Sequence, residues 1–348
     1  MQKKERFGWL DVMKLIGIYL VYVAHTAGMG RFGILAQNTA LGILFFASGF
    51  SASRRKDKPL WPFVVEKAKR ILVPYFAFSF LALALRVFFL EMSQGEIIDI
   101  VRRIFRAMRN DVAFPALWFL PCLFLMSIYY QILMKWIHKK PLLLLASLAI
   151  SCLVKFTNEG PYMPWGIELA GRYLIYYALG DCVSVLYQRW RTSSPQGWLK
   201  LLLGGLTLVN FYVLYTDFYF GRGYFPSLFG IQEMSFNLSS VMTFIMEVNG
   251  IWCAMAIALI LQAVPGLCRA GQLTLAFCGA ESIVKMLVPL AFEALGFALT
   301  ETGGAAMLLQ EVFMMLVAYY LVAVPASRYF PWMLGVFENK RKEESRSS

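Results

Sequence analysis

Apolar runs of about 20 residues recur along the whole chain, separated by short stretches where the cations gather. A helix needs about 20 mostly apolar residues to cross the hydrocarbon core. Ten runs meet or approach that length, near 9–28, 33–52, 71–90, 115–135, 141–157, 167–187, 198–216, 241–264, 271–295 and 305–325. The run at 141–157 is short, and that at 271–295 is interrupted by Glu281, Lys285 and Pro289. The segment 91–114 is too polar to span, but its IIDIVRRIFRAMRN stretch has a helical period and is expected to lie at the interface. The pattern predicts an all-α polytopic integral membrane bundle of about ten transmembrane helices. Residues 1–8 precede the bundle, 9–325 form it, and 326–348 are a solvated tail.

Composition narrows the class. Of 348 residues, 59% are hydrophobic and 16% charged, and the mean hydropathy is +0.59. A soluble domain is about 45–50% apolar and about 25% charged. A soluble fold of this length has no core large enough for so much apolar surface. The net charge of +12 suggests nucleic acid, but the basic residues sit in clusters between apolar runs, where they report orientation. With the N-terminus in the cytoplasm and ten helices, the inner segments hold 22 Lys and Arg and the outer segments 7. That bias places both termini in the cytoplasm and 91–114 and 217–240 outside. The first run resembles a signal peptide but lacks a small-residue cleavage site and carries Asp11 and Lys14, so it is read as a retained span. The six cysteines show no metal-ligand or disulfide spacing and read as small buried hydrophobes.

Ionisable groups inside a bilayer are costly, so each is a functional candidate. Lys14 and His25 are eleven residues apart, within about 20° of one helix face and about 16 Å along the axis. Asp11, at i, i+3 from Lys14, joins the same stripe and can pair with it. His25 is one of two histidines. It is either a neutral imidazole hydrogen-bonded between helices or a group that takes and gives a proton near neutral pH. Glu168 with Arg172, and Glu281 with Lys285, are spaced i, i+4 and are expected to pair, either as structural glue or as substrate-binding groups. Arg86, Asp181 and Glu247 have no local partner and must pair across helices or face a wet cavity; Asp217 and Glu311 are placed near the interface. Ser48 and Gly49 are small residues suited to close helix packing. The following loop carries Arg54, Arg55, Lys56, Lys58, Lys67, Lys69 and Arg70, which serve topology or dock a polyanionic donor.

Five stretches in order carry a resemblance. RFGWLDVMKLIGIYLVYVAH at 6–25 resembles the opening of the acyltransferase 3 family, in which a basic residue precedes a membrane histidine by eleven positions, as Lys14 precedes His25. FFASGF at 45–50, EKAKRILVPY at 66–75, LWFLPCLF at 117–124 and RYLIYYALGD at 172–181 are similar to its later segments. The resemblance implies membrane transfer of an acyl group, usually acetyl, from an acyl-CoA-type donor such as acetyl-CoA to hydroxyls of bacterial surface carbohydrates or lipids. It implies a bacterial plasma-membrane location and no bound cofactor or metal. Carried over by position, it makes His25 and Lys14 the essential residues, with Asp11, Ser48 and Arg70 in support; apart from the resemblance, Ser48 and Arg172 are the possible oxyanion donors. One departure is evident: ESIVKMLVP at 281–289 keeps Ser282 but has Pro289 where many relatives have a second histidine.

On this reading His25 is a general base on the acceptor hydroxyl or a relay through an acyl intermediate, and the residues leave both open. The rival class is a transporter or flippase of a surface glycan or lipid intermediate, whose charges line a path without chemistry. A third is a membrane sensor or scaffold that has lost catalysis. The expected partners are the acyl donor, a surface glycan or lipid-linked acceptor and membrane lipids, with no nucleic acid.

Overall fold

The computed structural model describes residues 6–26, 30–52, 58–157, 160, 162–192, 202, 204–210, 212, 236–296 and 305–337. Among these residues there are helices and no strands. The chain runs through α1 (Gly8–Ala24), α2 (Gly30–Gly49) and α3 (Leu60–Lys67). A π-turn at Ala68–Leu72 joins α3 to α4 (Val73–Phe89). Then come α5 (Gln94–Arg106), α6 (Phe119–Trp136), α7 (Lys140–Thr157), a 3-10 turn at Pro164–Gly166 and α8 (Ile167–Arg172). The rest comprises α9 (Leu174–Thr192), α10 (Phe236–Leu261), α11 (Pro265–Gln272), α12 (Thr274–Ala294), α13 (Ala305–Ala318) and, after a second π-turn, α14 (Val324–Tyr329).

Among the described residues, seven helices are long and apolar enough to cross a membrane: α2, the continuous α3–α4 rod, α6, α7, α10, α12 and the α13–α14 rod. The polytopic all-α bundle expected from the pattern is what the structure shows. The other three expected spans explain the difference from ten. α1 has 17 residues and carries Asp11 and Lys14, and the 167–187 run is split between α8 and α9 at Tyr173. Of 198–216 only residues 202, 204–210 and 212 are described, all helical. The region around Asp217, the loop cations Arg54, Arg55 and Lys56, and the tail from 338 lie outside the described residues. The third span starts earlier than expected: Lys67, Lys69 and Arg70 sit inside the 30-residue rod Leu60–Phe89 rather than in the loop before it.

α1 is the axis of the bundle, packed against α2, α10, α11, α12 and α13. Its buried face includes Trp9, Met13, Ile18 and Tyr22, each at most 1% exposed. α2 in turn packs on α9. There a Cβ at Gly49 would fall 1.9 Å from the Tyr177 carbonyl oxygen, and one at Gly180 would fall 2.1 Å from that of Phe46. The two backbones therefore touch, as small residues at a membrane helix crossing allow.

α5 forms the amphipathic element expected in 91–114. Ser93 and Glu96 build a capping box at its start, and Ile100 and Ile104 are buried beneath it. The Ser93 amide and hydroxyl, donating to Glu96, hold that carboxyl below the ordinary carboxylate range. Among the lone charges, Asp181 accepts from Tyr130 at 2.6 Å and pairs with Lys140, Glu247 accepts from Tyr176, and Arg86 lies 4.8 Å from the Phe114 ring centroid. All six cysteines are free; three are buried, two half-buried, and Cys152 is exposed rather than buried.

Candidate active site

α1 ends at His25, whose amide donates to the Val21 and Tyr22 carbonyls at 3.2 and 3.3 Å. The imidazole therefore sits at the negative end of a helix dipole. Its Nδ1 lies 3.2 Å from Oε1 of Glu281 on α12. A carboxylate only accepts, so Nδ1 is the nitrogen that carries a hydrogen towards ionised Glu281, and in the neutral ring Nε2 is then the one with the lone pair.

Glu281 is 1% exposed and does not stand alone. Ser282 Oγ donates to its Oε2 at 3.1 Å, and Lys285 Nζ lies 3.5 Å from its Oε1. The same ammonium donates to the Tyr22 carbonyl at 2.7 Å and to Thr26 Oγ1 at 2.9 Å, so it binds the last turn of α1 directly. It also lies 3.5 Å from Glu311 on α13, whose other oxygen is 2.7 Å from the Thr26 hydroxyl. Glu311 is 1% exposed, so its expected interfacial place is corrected: it is a buried member of this cluster. Formally, two carboxylates and one ammonium leave a charge of −1, which an imidazolium at His25 neutralises.

The ring of His25 borders a cavity of about 310 Å³ lined by Gln37 of α2, by Arg109 and Asn110, and by Trp118 and Phe119. Arg109 is fixed over the aromatic rings of Trp118 and Tyr162, at 5.2 and 5.7 Å from their centroids. Gln37, Arg109 and Asn110 line the cavity and carry side-chain N–H donors, the kind of group that stabilises a developing oxyanion. None was singled out from the sequence. Arg109 and Asn110 close the IIDIVRRIFRAMRN stretch, whose helical period reads as an interfacial element; the helix itself ends at Arg106.

The remaining candidates lie elsewhere. Asp11, 4% exposed, is held by Arg6 Nε at 2.7 Å and Lys14 Nζ at 3.4 Å. The expected Asp11–Lys14 pair is present, about 16 Å down α1 from His25. Ser48 donates to its own helix at the Leu44 carbonyl, 2.8 Å away, and borders a small pocket with Lys67 and Gln131. Arg70 is half-exposed and lies 3.7 Å from Glu66, which also binds Lys58. Arg172 shares a pocket with Lys155 and Glu247. The expected Glu168–Arg172 pair is corrected: both Glu168 oxygens are buried without a hydrogen-bond partner. Arg172 and Glu168 open into pockets on opposite sides of α7, since Ser151 and Lys155 line one while Ile150 and Val154 line the other.

A family model described as an acyltransferase domain, that of the acyltransferase 3 family, matches residues 7–285 of the 348. The chain belongs to the acyltransferase 3 family. No curated protein and no solved structure matches it. The acyltransferase match runs from the start of α1 to Lys285 itself, so it includes His25 and Glu281, while Glu311 lies beyond it. The chain is thus a membrane acyltransferase, and the cavity beside His25 is its strongest candidate for the site of chemistry.

Proposed function

We propose that this acyltransferase moves an acetyl or other short acyl group from an acyl-CoA-type donor to a hydroxyl of a cell-surface carbohydrate or lipid-linked glycan. The observation that carries the reading is the His25–Glu281 contact at 3.2 Å, made by a ring that borders a polar-lined cavity. In the proposed step Nε2 takes the proton of the acceptor hydroxyl. The freed oxygen attacks the thioester carbonyl, and collapse of the tetrahedral intermediate breaks the C–S bond. The imidazolium then returns its proton to the leaving thiolate. General-base help of this kind supplies about 10²–10⁴-fold. The charge of the Glu281–Lys285–Glu311 cluster suits a transient imidazolium, the form the ring takes when it acts as the base.

Lys14 is too far down α1 to touch atoms reacting at His25. Its proposed role is to meet the anionic portion of a donor with a long arm, with Asp11 holding it in place. The same reading puts both termini and the Lys14 end on the cytoplasmic side of a bacterial plasma membrane and His25 toward the outer side, following the cation bias. Residues 9–325 then act as one catalytic domain.

The test is purified protein in lipid nanodiscs with radiolabelled acetyl-CoA and surface glycan. Label should enter the glycan with wild type and not with His25→Ala. Glycan movement across vesicles without label transfer would overturn the enzyme reading in favour of transport. Label trapped on His25 would replace the base mechanism with a relay.

A further inference from the structure

A second cavity, independent of the site above, opens between α6, α7 and α8. It measures about 630 Å³ and is walled by apolar side chains, among them Leu133, Ile150 and Val154, with no Lys, Arg or His among the described residues of its lining. Rim residues Ile132, Met163 and Ile167 are 38–44% exposed, so the groove faces outward from the bundle, where lipid lies around a membrane protein. Among the described residues, the one charged group in its wall is Glu168. It is 8% exposed, and neither carboxylate oxygen has a hydrogen-bond partner. Buried polar groups are almost always satisfied, and an exception calls for a missing partner.

We propose that this groove holds a membrane lipid with a primary-ammonium head group, the ammonium donating to Glu168. Depth and length fit that occupant. Glu168 sits in the first turn of α8, directly after a 3-10 turn whose Trp165 donates to the Phe105 carbonyl at 2.8 Å. Tryptophan collects at the head-group level of a bilayer. From Thr157 to Ile150 the wall supplied by α7 descends about 10 Å, room for the upper part of an acyl chain. Charge selects the head. A purely anionic lipid meets only a carboxylate, and a quaternary ammonium has no N–H to give. A primary ammonium supplies both the charge and the hydrogens.

The experiment is native mass spectrometry of the delipidated full chain titrated with phosphatidylethanolamine, phosphatidylcholine or phosphatidylglycerol of identical acyl chains. Wild type should bind the ethanolamine lipid about tenfold more tightly than either other. Glu168→Gln should bind all three alike, and Val154→Trp, which fills the groove and leaves the carboxylate in place, should weaken the bound lipid. Equal affinity of wild type for the three lipids would overturn the proposal. So would an ethanolamine preference that survives in Glu168→Gln, or an affinity for the ethanolamine lipid in Val154→Trp equal to that of wild type.

Discussion

Glu311 on α13 stands 3.5 Å from Lys285 on α12, so a single ammonium serves two buried carboxylates from two helices. An i, i+4 pair read from one helix is in fact a three-member network that also reaches His25. Lys285→Met leaves both carboxylates without it and should destabilise the protein by about 3–5 kcal/mol. Adding Glu281→Gln should restore part of that loss, and adding Glu311→Gln as well should restore most of it. Thermal melts in detergent across the set measure the coupling. Full recovery with Glu281→Gln alone would show that Glu311 is no partner.

The Glu281 contact fixes which nitrogen of His25 is free. Glu281→Gln keeps the shape but offers an amide that can also donate, so the tautomer is no longer held. Acyl transfer should fall about 10–100-fold, against about 10²–10⁴-fold for His25→Ala. The double variant should be no slower than His25→Ala alone, because the carboxylate acts through the ring. Additive losses in initial rates would separate the two residues.

Lys14 should matter for the donor and not for the chemical step. Lys14→Arg keeps the charge and should keep much of the activity, with some loss because the planar fork needs more room. Lys14→Met should lose rate at low donor concentration and recover it near saturation. Rates against donor concentration decide; a Met variant equal to wild type throughout would make Lys14 only a partner for Asp11.

At the α2–α9 crossing, Gly180→Ala places a methyl against the Phe46 carbonyl and should cost about 1–3 kcal/mol or more. Gly205→Ala is the control: it is helical with nothing within 4 Å of the added Cβ, so propensity alone should stabilise by up to about 1 kcal/mol. Melting temperatures of the two variants should move in opposite directions.

Which of these features could be read from the chain follows from sequence separation. The α1 stripe, the Asp11–Lys14 pair and the Glu281–Lys285 pair are local, set by helical periodicity, and all are present in the structure. The His25–Glu281 contact joins positions 256 apart, and no periodicity links them. Glu311 reads as interfacial because its own helix offers it no partner; its partners come from α1 and α12. Glu168 and Arg172 show the converse failure. The spacing allows a pair, but in a six-residue helix each side chain turns to a different side of α7. Arg109 was missed because a cation in a polar connector resembles any topology signal until Trp118 and Tyr162 are seen to fix it.

The end of α1 is bolted to α12 at two points. Lys285 grips the Tyr22 carbonyl, and Glu281, one turn earlier on the same helix, grips the ring of His25. A slide of α12 by a turn, about 5.4 Å, would break both grips at once, so this side of the cavity behaves as a fixed jaw. Entry and exit of bulky substrates then fall to the other walls, α2 and the connector that runs from Arg109 to Trp118. Cross-linking that connector, and not α12 to α1, is the manipulation that should trap the enzyme with its cavity shut.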